Sequence, residues 1–425
     1  MSYWNNIAAS PSHLRLFEAG VGWKQYNDTM GEDGATTFVG ANRAIESSLN
    51  GVLNATNLLF LVGAGSSFCV KTAEGRATPP GLADLWDAVE LAATSAVINE
   101  IINLIPNAAN LNKNIEKLLT LCKLYTAIYD DDNTTKISRF IATAEKAILE
   151  RVDFVDASSD ISSHKSLVRK IARRGLRKPR AKVFTTNYDV CFEEAGRQQQ
   201  FVVVDGFSHS VPQVYDRAYF SYDIVRRDGS KDAPDYVENV FHLYKLHGSL
   251  DWRQEGALIT RSKDDHAGNP VLIYPRDSKY QESFAPPYLD MMGAFQAALR
   301  EPDTALVISG FGFNDDHISR PILSAVEANL ALRLVVCDLA FIREDALDSE
   351  PAPEIVPAES PLATTNPYFR QLRDLVTLRD RRITLLNGRF DDLSAAMPDL
   401  VAETDRERHM ERLRKLRDMP RDGAA

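Results

Sequence analysis

Leu58-Leu59-Phe60-Leu61-Val62-Gly63-Ala64-Gly65-Ser66-Ser67 is the stretch of this sequence that decides its fold. Its apolar first half suits a strand that is buried on both faces, and it ends at two glycines one residue apart. Glycines at that spacing let the backbone turn tightly, and exposed N–H groups in such a turn can bind a pyrophosphate. The dehydrogenase fingerprint expects a third glycine where Phe68 stands. An ordinary strand-to-helix turn therefore accounts for the stretch equally well.

Further apolar, β-rich runs follow along the chain, and each ends near a glycine or a small polar residue. They are Ala181–Thr185, Phe201–Val204, Val240–Leu246, Ala305–Ile308, Leu332–Val336 and Ile383–Leu386. The segments between these runs have helical periodicity. The pattern predicts an α/β fold, in which a Rossmann-like, mostly parallel sheet is flanked by helices.

The other segments predict how the chain is divided. Residues 1–50 are expected to form a helical N-terminal extension, and residues 51–400 the Rossmann-type domain. Within that domain, residues 82–178 place apolar side chains at helical spacing without a good strand, which predicts a helical insertion. Residues 349–367 are rich in proline and predict an irregular loop. Residues 401–425 predict a charged C-terminal helix or tail.

Composition excludes several classes of protein. Of the 425 residues, 44% are hydrophobic and 25% charged, as in ordinary globular proteins. No apolar run has the roughly 18 residues that a membrane span needs, and the first residues do not resemble an export signal. The four cysteines include no C-x-x-C pair, so a thiolate zinc module is not expected. Cytoplasmic residence without membrane contact is the simplest interpretation.

Charge argues against direct nucleic-acid binding. The formal net charge is −10, which makes a general affinity for a polyanion unfavourable. The run Arg169–Arg180 is locally basic and is the one stretch that could contact nucleic acid. We interpret it instead as the cationic end of a helix before Gly175.

Polar residues follow several of the predicted strands, where ligands bind in open α/β sheets. The segment Thr185-Thr186-Asn187-Tyr188-Asp189 could present an amide and a carboxylate, or it could cap the next helix. A histidine follows another strand in Leu246-His247-Gly248-Ser249, although a lone histidine is more often structural than catalytic. Ser309-Gly310-Phe311-Gly312 is a further turn, and Asp338 at the end of another strand suits a ribose hydroxyl. A dinucleotide across the crevice is a target that all these ends could share.

Together these segments resemble the sirtuin superfamily. They match in order its GAG-x-S phosphate turn, its T-x-N-x-D segment, its L-H-G histidine and its later S-G turn. The sequence Phe313-Asn314-Asp315-Asp316-His317-Ile318 is similar to the F-x-D-x-H-I that follows that turn in bacterial sirtuin-like domains. Those domains lack a zinc ribbon, and so does this sequence. The resemblance covers about Leu58 to Asp338 and implies NAD as substrate, with no zinc.

The resemblance also implies roles for individual residues. His247, with an ordinary pKa of about 6.5, would be a general base. Asn187 would lie by the ribose and a water, and Asp189 would orient the nicotinamide carboxamide. Gly248 would give the imidazole clearance to face the ligand. The remaining residues expected to bind the dinucleotide are Gly63, Ala64, Gly65, Ser66, Ser67, Thr186, Ser309, Gly310, Phe311, Gly312 and Asp338.

The bacterial branch is associated with NAD cleavage in anti-phage defence, so the resemblance implies an NAD glycohydrolase. Such an enzyme needs restraint in a resting cell, which implies a homo-oligomer or a partner such as a HerA-type hexameric ATPase. Two alternatives stay open. One is a zinc-free NAD-dependent deacylase or ADP-ribosyltransferase, and the other is a non-catalytic sensor of NAD or ADP-ribose that controls assembly.

Overall fold

A computed structural model provides the structure of this chain. It describes residues 3–74, 77–106, 108, 111–172, 174, 178–227, 235–262, 269–272 and 286–398. The predicted tail, residues 401–425, lies outside the described residues.

The main sheet has ten strands in the described residues, and three smaller sheets complete the β-structure. The strands are β1 (Arg15–Glu18), β2 (Gly22–Gln25), β3 (Thr29–Met30), β4 (Thr36–Phe38), β5 (Asn57–Val62), β6 (Lys182–Thr185), β7 (Val202–Val204), β8 (Val225–Arg226), β9 (Asp235–Tyr236), β10 (Val240–Lys245), β11 (Gly248–Glu255), β12 (Leu258–Arg261), β13 (Pro270–Leu272), β14 (Thr304–Ser309), β15 (Arg333–Cys337), β16 (Ile355–Val356) and β17 (Ile383–Asn387).

Eleven α-helices are found in the same described ranges. They are α1 (Gly40–Leu53), α2 (Leu82–Ala93), α3 (Ser95–Leu104), α4 (Ile115–Ile128), α5 (Asp132–Val152), α6 (Ser162–Ala172), α7 (Cys191–Gln198), α8 (Tyr288–Ala298), α9 (Asp316–Ala328), α10 (Pro367–Thr377) and α11 (Phe390–Ala396). None of the helices in the described chain combines the length and the apolar character that a bilayer crossing requires.

The order of strands in the main sheet creates a crevice at its centre. The order is β16-β2-β1-β17-β15-β14-β5-β6-β10-β7, and from β17 to β7 every neighbouring pair is parallel. The strands β6, β10 and β7 lie on one side of β5, and β14 and the parallel strands after it lie on the other. This reversal is a topological switch point, where ligands bind in such sheets. The predicted α/β, Rossmann-like fold is confirmed.

Successive side chains of the central strand β5 belong alternately to two hydrophobic cores, one on each face of the sheet. Leu58, Phe60 and Val62 of β5 belong to one buried cluster, which also contains side chains of α1, α2 and α4–α7. Leu59 and Leu61 belong to the second cluster, which contains side chains of α8, α9 and α10. Because successive side chains of a strand point to opposite faces, an uninterrupted apolar run is what a sheet covered on both sides requires.

The N-terminal segment corrects one prediction. Residues 1–50 were expected to be helical, but apart from two 3-10 turns, Tyr3–Asn5 and Pro11–His13, the first helix begins only at Gly40. Strands β1 and β2 precede it, and β1 pairs with β17, so this segment extends the main sheet. Arg15 is fully buried and donates hydrogen bonds to the Gln25 side chain and the Pro353 carbonyl. Strands of four residues are too short to show a period, and their neighbours come from distant parts of the sequence.

Two other predicted segments have regular structure. Helices α2–α6 occupy the interval between β5 and β6 where an insertion was expected. The proline-rich segment 349–367 is not irregular throughout, since β16 pairs with β2 and Pro367 begins α10. Proline suits the first helical position because its missing N–H has no partner there.

The locally basic run is largely tied to the protein itself. The ammonium group of Lys170 donates to the Ser394 carbonyl at 2.7 Å, and Arg174 donates to the Ala55 and Thr56 carbonyls. Arg180 forms an ion pair with Asp223 at 2.8 Å. Side chains held in this way are poorly placed to bind phosphate groups of a nucleic acid. Helix α6 ends at Ala172, and Gly175 lies outside the described residues.

Candidate functional site

The turns after β5 and β14 meet at the switch point through their main chains. The Gly63 N–H donates to the Ser309 carbonyl at 3.3 Å, and the Gly65 N–H donates to the Gly310 carbonyl at 3.0 Å. A Cβ on Gly65 would lie 2.7 Å from the Gly310 Cα, and Gly310 has a φ of +64°. Glycine at both positions therefore allows two backbones to touch.

The phosphate turn differs from its predicted form. The N–H groups of Gly63, Gly65, Ser66 and Ser67 all donate to backbone carbonyls, so they are not free to cradle a pyrophosphate. Ala64–Ser66 form a single 3-10 turn rather than the start of a long helix. For these four residues the prediction of exposed amides was wrong, because the close contact with the neighbouring turn and the 3-10 turn itself use their N–H groups.

The segment after β6 lies against this turn. The Asn187 amide nitrogen is 2.9 Å from the Ser67 hydroxyl and 3.1 Å from the Gly63 carbonyl. The Asp189 carboxylate accepts hydrogen bonds from the Ser67 hydroxyl at 2.6 Å and from the Cys191 N–H at 3.0 Å. Asp189 thus accepts the N–H of the first residue of α7, although the N-cap position itself is Val190 and has no side-chain cap hydrogen bond. Asp189 also joins two strand ends.

A buried lysine, which the sequence did not single out, fixes the same segment. The Lys245 ammonium donates to the Tyr188 carbonyl at 3.2 Å, to the Asp189 carbonyl, and to Glu193 at 3.1 Å. Lys245 is the last residue of β10, two positions before His247. It therefore couples the strand that carries the histidine to the loop that carries Asn187.

His247 is buried and has a histidine partner. Its Nε2 atom lies 3.2 Å from the Nε2 atom of His317, in the first turn of α9. Burial, followed by the charge of His317, lowers the pKa of His247 well below its usual value. Burial also lowers the pKa of His317 to about 4, while Asp316 opposes this shift. The expectation of an unperturbed His247 was wrong because its neighbours in space were unknown.

Gly248 also has a role different from the predicted one. Its φ is +87°, and a Cβ there would collide with the Val271 carbonyl of β13. The residue therefore permits a left-handed backbone conformation and close packing against the neighbouring strand. Clearance for the imidazole is not what requires glycine at this position.

A cavity of about 510 Å³ lies at the carboxyl ends of the strands. It has the size of a small-molecule site. Most of the predicted site residues line it, namely Gly63, Ala64, Ser67, Thr186, Asn187, Asp189, His247, Gly310, Phe311 and Gly312. Side chains from turns that are far apart in sequence thus come together around one space.

Four predicted site residues are not among those that line this cavity: Gly65, Ser66, Ser309 and Asp338. The Ser66 hydroxyl is buried and donates to the Gly63 carbonyl at 2.8 Å. Ser309 is also buried. The Asp338 carboxyl accepts the Ala340 N–H at 2.9 Å, and burial raises its pKa to about 6.

The helical insertion supplies a wall of the cavity that sequence reasoning missed. Its contributions include Leu82 and Leu85 of α2, and Asn114 and Glu116 at the start of α4. Tyr188 donates a hydrogen bond to the Glu116 carboxylate at 2.9 Å. Helical periodicity marked only the apolar face of α4, so it gave no sign that the first turn reaches the site.

No group of three or more His, Cys, Asp or Glu side chains that could hold a metal ion is found among the described residues. Comparison with known protein families finds a match over residues 181–357 to a SIR2-like domain. The match supports a relationship to the sirtuin-like superfamily and an activity related to NAD. It includes Asn187, Asp189, His247 and Gly310, and it begins after the glycine turn of β5. No curated protein matches the chain.

Proposed function

We propose that this protein is an NAD+ glycohydrolase that cleaves the nicotinamide–ribose bond and releases nicotinamide and ADP-ribose. The observation that supports it most is that His247, Asn187 and Asp189 line one cavity with the two glycine turns of the switch point. The SIR2-like match over 181–357 makes NAD the natural candidate for the molecule that spans those turns. We further propose that the reaction depletes NAD in the cytoplasm of a bacterium during anti-phage defence.

The chemistry needs few groups. A water oxygen attacks C1′ of the ribose, the C1′–N bond breaks, and nicotinamide leaves with the bonding electrons. His247 accepts the proton of the water; because its pKa is low, the imidazole is neutral and able to do so at neutral pH. Asn187 holds the water or a ribose hydroxyl, and Asp189 orients the carboxamide. Positioning of this kind supplies much of the rate enhancement in such reactions.

The residues of the helical insertion that line the cavity favour water, rather than a peptide, as the group that accepts ADP-ribose. Leu82 and Leu85 of α2 and Glu116 and Lys117 of α4 line the cavity of about 510 Å³ together with the strand ends. That space suits a small-molecule ligand with water better than a protein segment. The deacylase and transferase alternatives would need room for a peptide beside the ribose.

His247→Ala tests the proposal. Purified protein is incubated with NAD+, and nicotinamide and ADP-ribose are resolved by chromatography. We expect the variant to lose at least about 100-fold in cleavage, as removal of a general base does, while its affinity for ADP-ribose changes little. Unchanged cleavage would remove His247 from the mechanism. Strict dependence on an acyl-lysine peptide would favour the deacylase. Binding without turnover under every activating condition, including addition of a partner, would favour a sensor.

Restraint of the activity is part of the proposal. A cell cannot tolerate continuous loss of NAD, so we propose control by self-assembly or by a partner such as a HerA-type hexameric ATPase. Cleavage by the purified chain is then expected to increase when the partner is added. Full activity of the chain alone would contradict the proposal that a partner controls it.

A further inference from the structure

Glu116 is the acidic side chain of the helical insertion that reaches the cavity. It lies in the first turn of α4, is partly buried, and lines the cavity together with Asn187 and His247. The Tyr188 hydroxyl donates to its Oε1 atom at 2.9 Å. No described residue donates a hydrogen bond to the other oxygen, Oε2. One oxygen is therefore fixed by the protein while the other is available to a ligand.

The neighbouring carboxylates are less available. Asp189 accepts hydrogen bonds from Ser67 and Cys191. Asp316 accepts a hydrogen bond from Tyr368 at 2.8 Å and forms an ion pair with Arg320 at 2.6 Å. Because these partners already neutralise or solvate the charge of Asp189 and Asp316, Glu116 is better able than either to act on a bound molecule.

The environment of Glu116 resembles that of a functional carboxyl group. Burial raises its pKa to about 7; the hydrogen bond from Tyr188 opposes this shift, and the charge of Asp315 adds to it. A carboxyl held near the midpoint of its titration is more common at functional sites than elsewhere. The other ionisable side chains that line the cavity are Lys117, Asp189, Asp315, Asp316, His247 and His317.

Those groups make the cavity acidic. Its described lining includes four carboxyl groups and one ammonium group, and both imidazoles are neutral at pH 7 because their pKa values are lowered. The nicotinamide ring of NAD+ is a cation, whereas that of NADH is neutral. Positive charge also develops at C1′ as the glycosidic bond breaks. A fixed carboxylate beside the ring and C1′ would attract both charges.

We propose that Glu116 is the carboxylate that faces the cationic nicotinamide–ribose half of the substrate and selects NAD+ over NADH. The inference rests on the proposed function, since it assumes that the cavity binds a nicotinamide dinucleotide. It gives the helical insertion a part in substrate selection.

Binding without turnover tests the inference. The probes are NADH and carbocyclic NAD+, whose pyridinium resists hydrolysis because a methylene replaces the ribose ring oxygen. Isothermal titration at pH 8 gives the ratio of their affinities in the full chain and in Glu116→Gln. Glutamine keeps the shape and can still accept the Tyr188 hydrogen bond, but it has no charge. We expect the preference for the cationic probe to fall about tenfold.

Controls separate charge from folding. Glu150→Gln makes the same change at an exposed site on the insertion and should leave the ratio unaltered. In the unmodified protein the ratio should also fall from pH 8 to pH 6, where Glu116 takes up a proton and both histidines stay neutral. This pH measurement uses only the unmodified protein, so it remains valid even if the variant has a lower Tm than the parent.

The outcomes are distinct. A ratio that is the same in Glu116→Gln and in the parent at pH 8, or a parent ratio that does not change with pH, would overturn the inference and leave the proposed function intact. If the parent binds neither dinucleotide, the proposed function itself is wrong, and the inference falls with it.

Discussion

His247 and His317 place their Nε2 atoms 3.2 Å apart. A hydrogen bond between two such nitrogens needs a proton on one of them only. The two rings therefore form a unit in which protonation of both is disfavoured by burial and by mutual repulsion. The lowered pKa keeps His247 neutral at pH 7, so one ring nitrogen has a lone pair that can accept a proton, although the same shift makes the imidazole a weaker base.

The pH dependence of cleavage follows from these shifts. As the pH falls from 8 to 6, Glu116 becomes protonated through its pKa of about 7, whereas the histidines stay neutral. We expect kcat/KM of the parent to fall with a midpoint near pH 7. In Glu116→Gln the rate should be lower but flat over this range. An unchanged midpoint in the variant would assign the titration to another group.

Residue types at strand ends could be predicted from the sequence, but their electrostatics could not. Asn187, Asp189 and His247 were found because each follows an apolar run, and such runs end at a shared edge of a parallel sheet. The pairing of His247 with His317 spans 70 positions, and no local pattern encodes it. The same holds for Glu116, which looks like an ordinary polar residue in the first turn of an amphipathic helix.

At the scale of elements, the contact between the turns after β5 and β14 organises the site. In Gly310→Ala the new Cβ would lie 2.5 Å from the Ser66 nitrogen, at a φ of +64°. Backbone atoms cannot move away as a side chain can. We expect a loss of about 1–3 kcal/mol of unfolding free energy, seen as a lower Tm, together with weaker ADP-ribose binding.

Gly293→Ala is the matched control for that substitution. Gly293 lies within α8, and a Cβ there meets nothing within 4 Å. Alanine is the better helix former, so this variant should be as stable as the parent or up to about 1 kcal/mol more stable. Equal destabilisation by both substitutions would show that the contact between turns has no special importance.

The strands of the parallel sheet could be predicted because an apolar run that ends at glycine or a small polar residue is typical of a strand buried on both faces. Strands β1 and β2 could not, since each has four residues and becomes a strand only by pairing with β17 or with its neighbour. The hydrogen bonds made by the N–H groups of the glycine turn could not be predicted either. These hydrogen bonds depend in part on a second turn more than 240 positions later, as between Gly65 and Gly310.

For the whole molecule, residues of the insertion and of the strand-end turns line one cavity. Ligand binding should therefore slow hydrogen exchange in both parts. We expect ADP-ribose to protect amides of the strand-end turns and of the start of α4, whose residues line the cavity. Helix α3, in the same insertion, contributes no lining residue and should be unaffected. Protection confined to the turns would mean that the insertion does not close over the ligand.

The outermost strands of the ten-stranded sheet are very short. Strand β16 has two residues and β7 has three. A second copy could add only two or three ladder positions at either border, too few to join sheets from one subunit to the next. If copies of this protein assemble, contacts outside the borders of the main sheet will have to hold them together, and the subunits could then shift against one another without breaking a continuous ten-stranded β-structure.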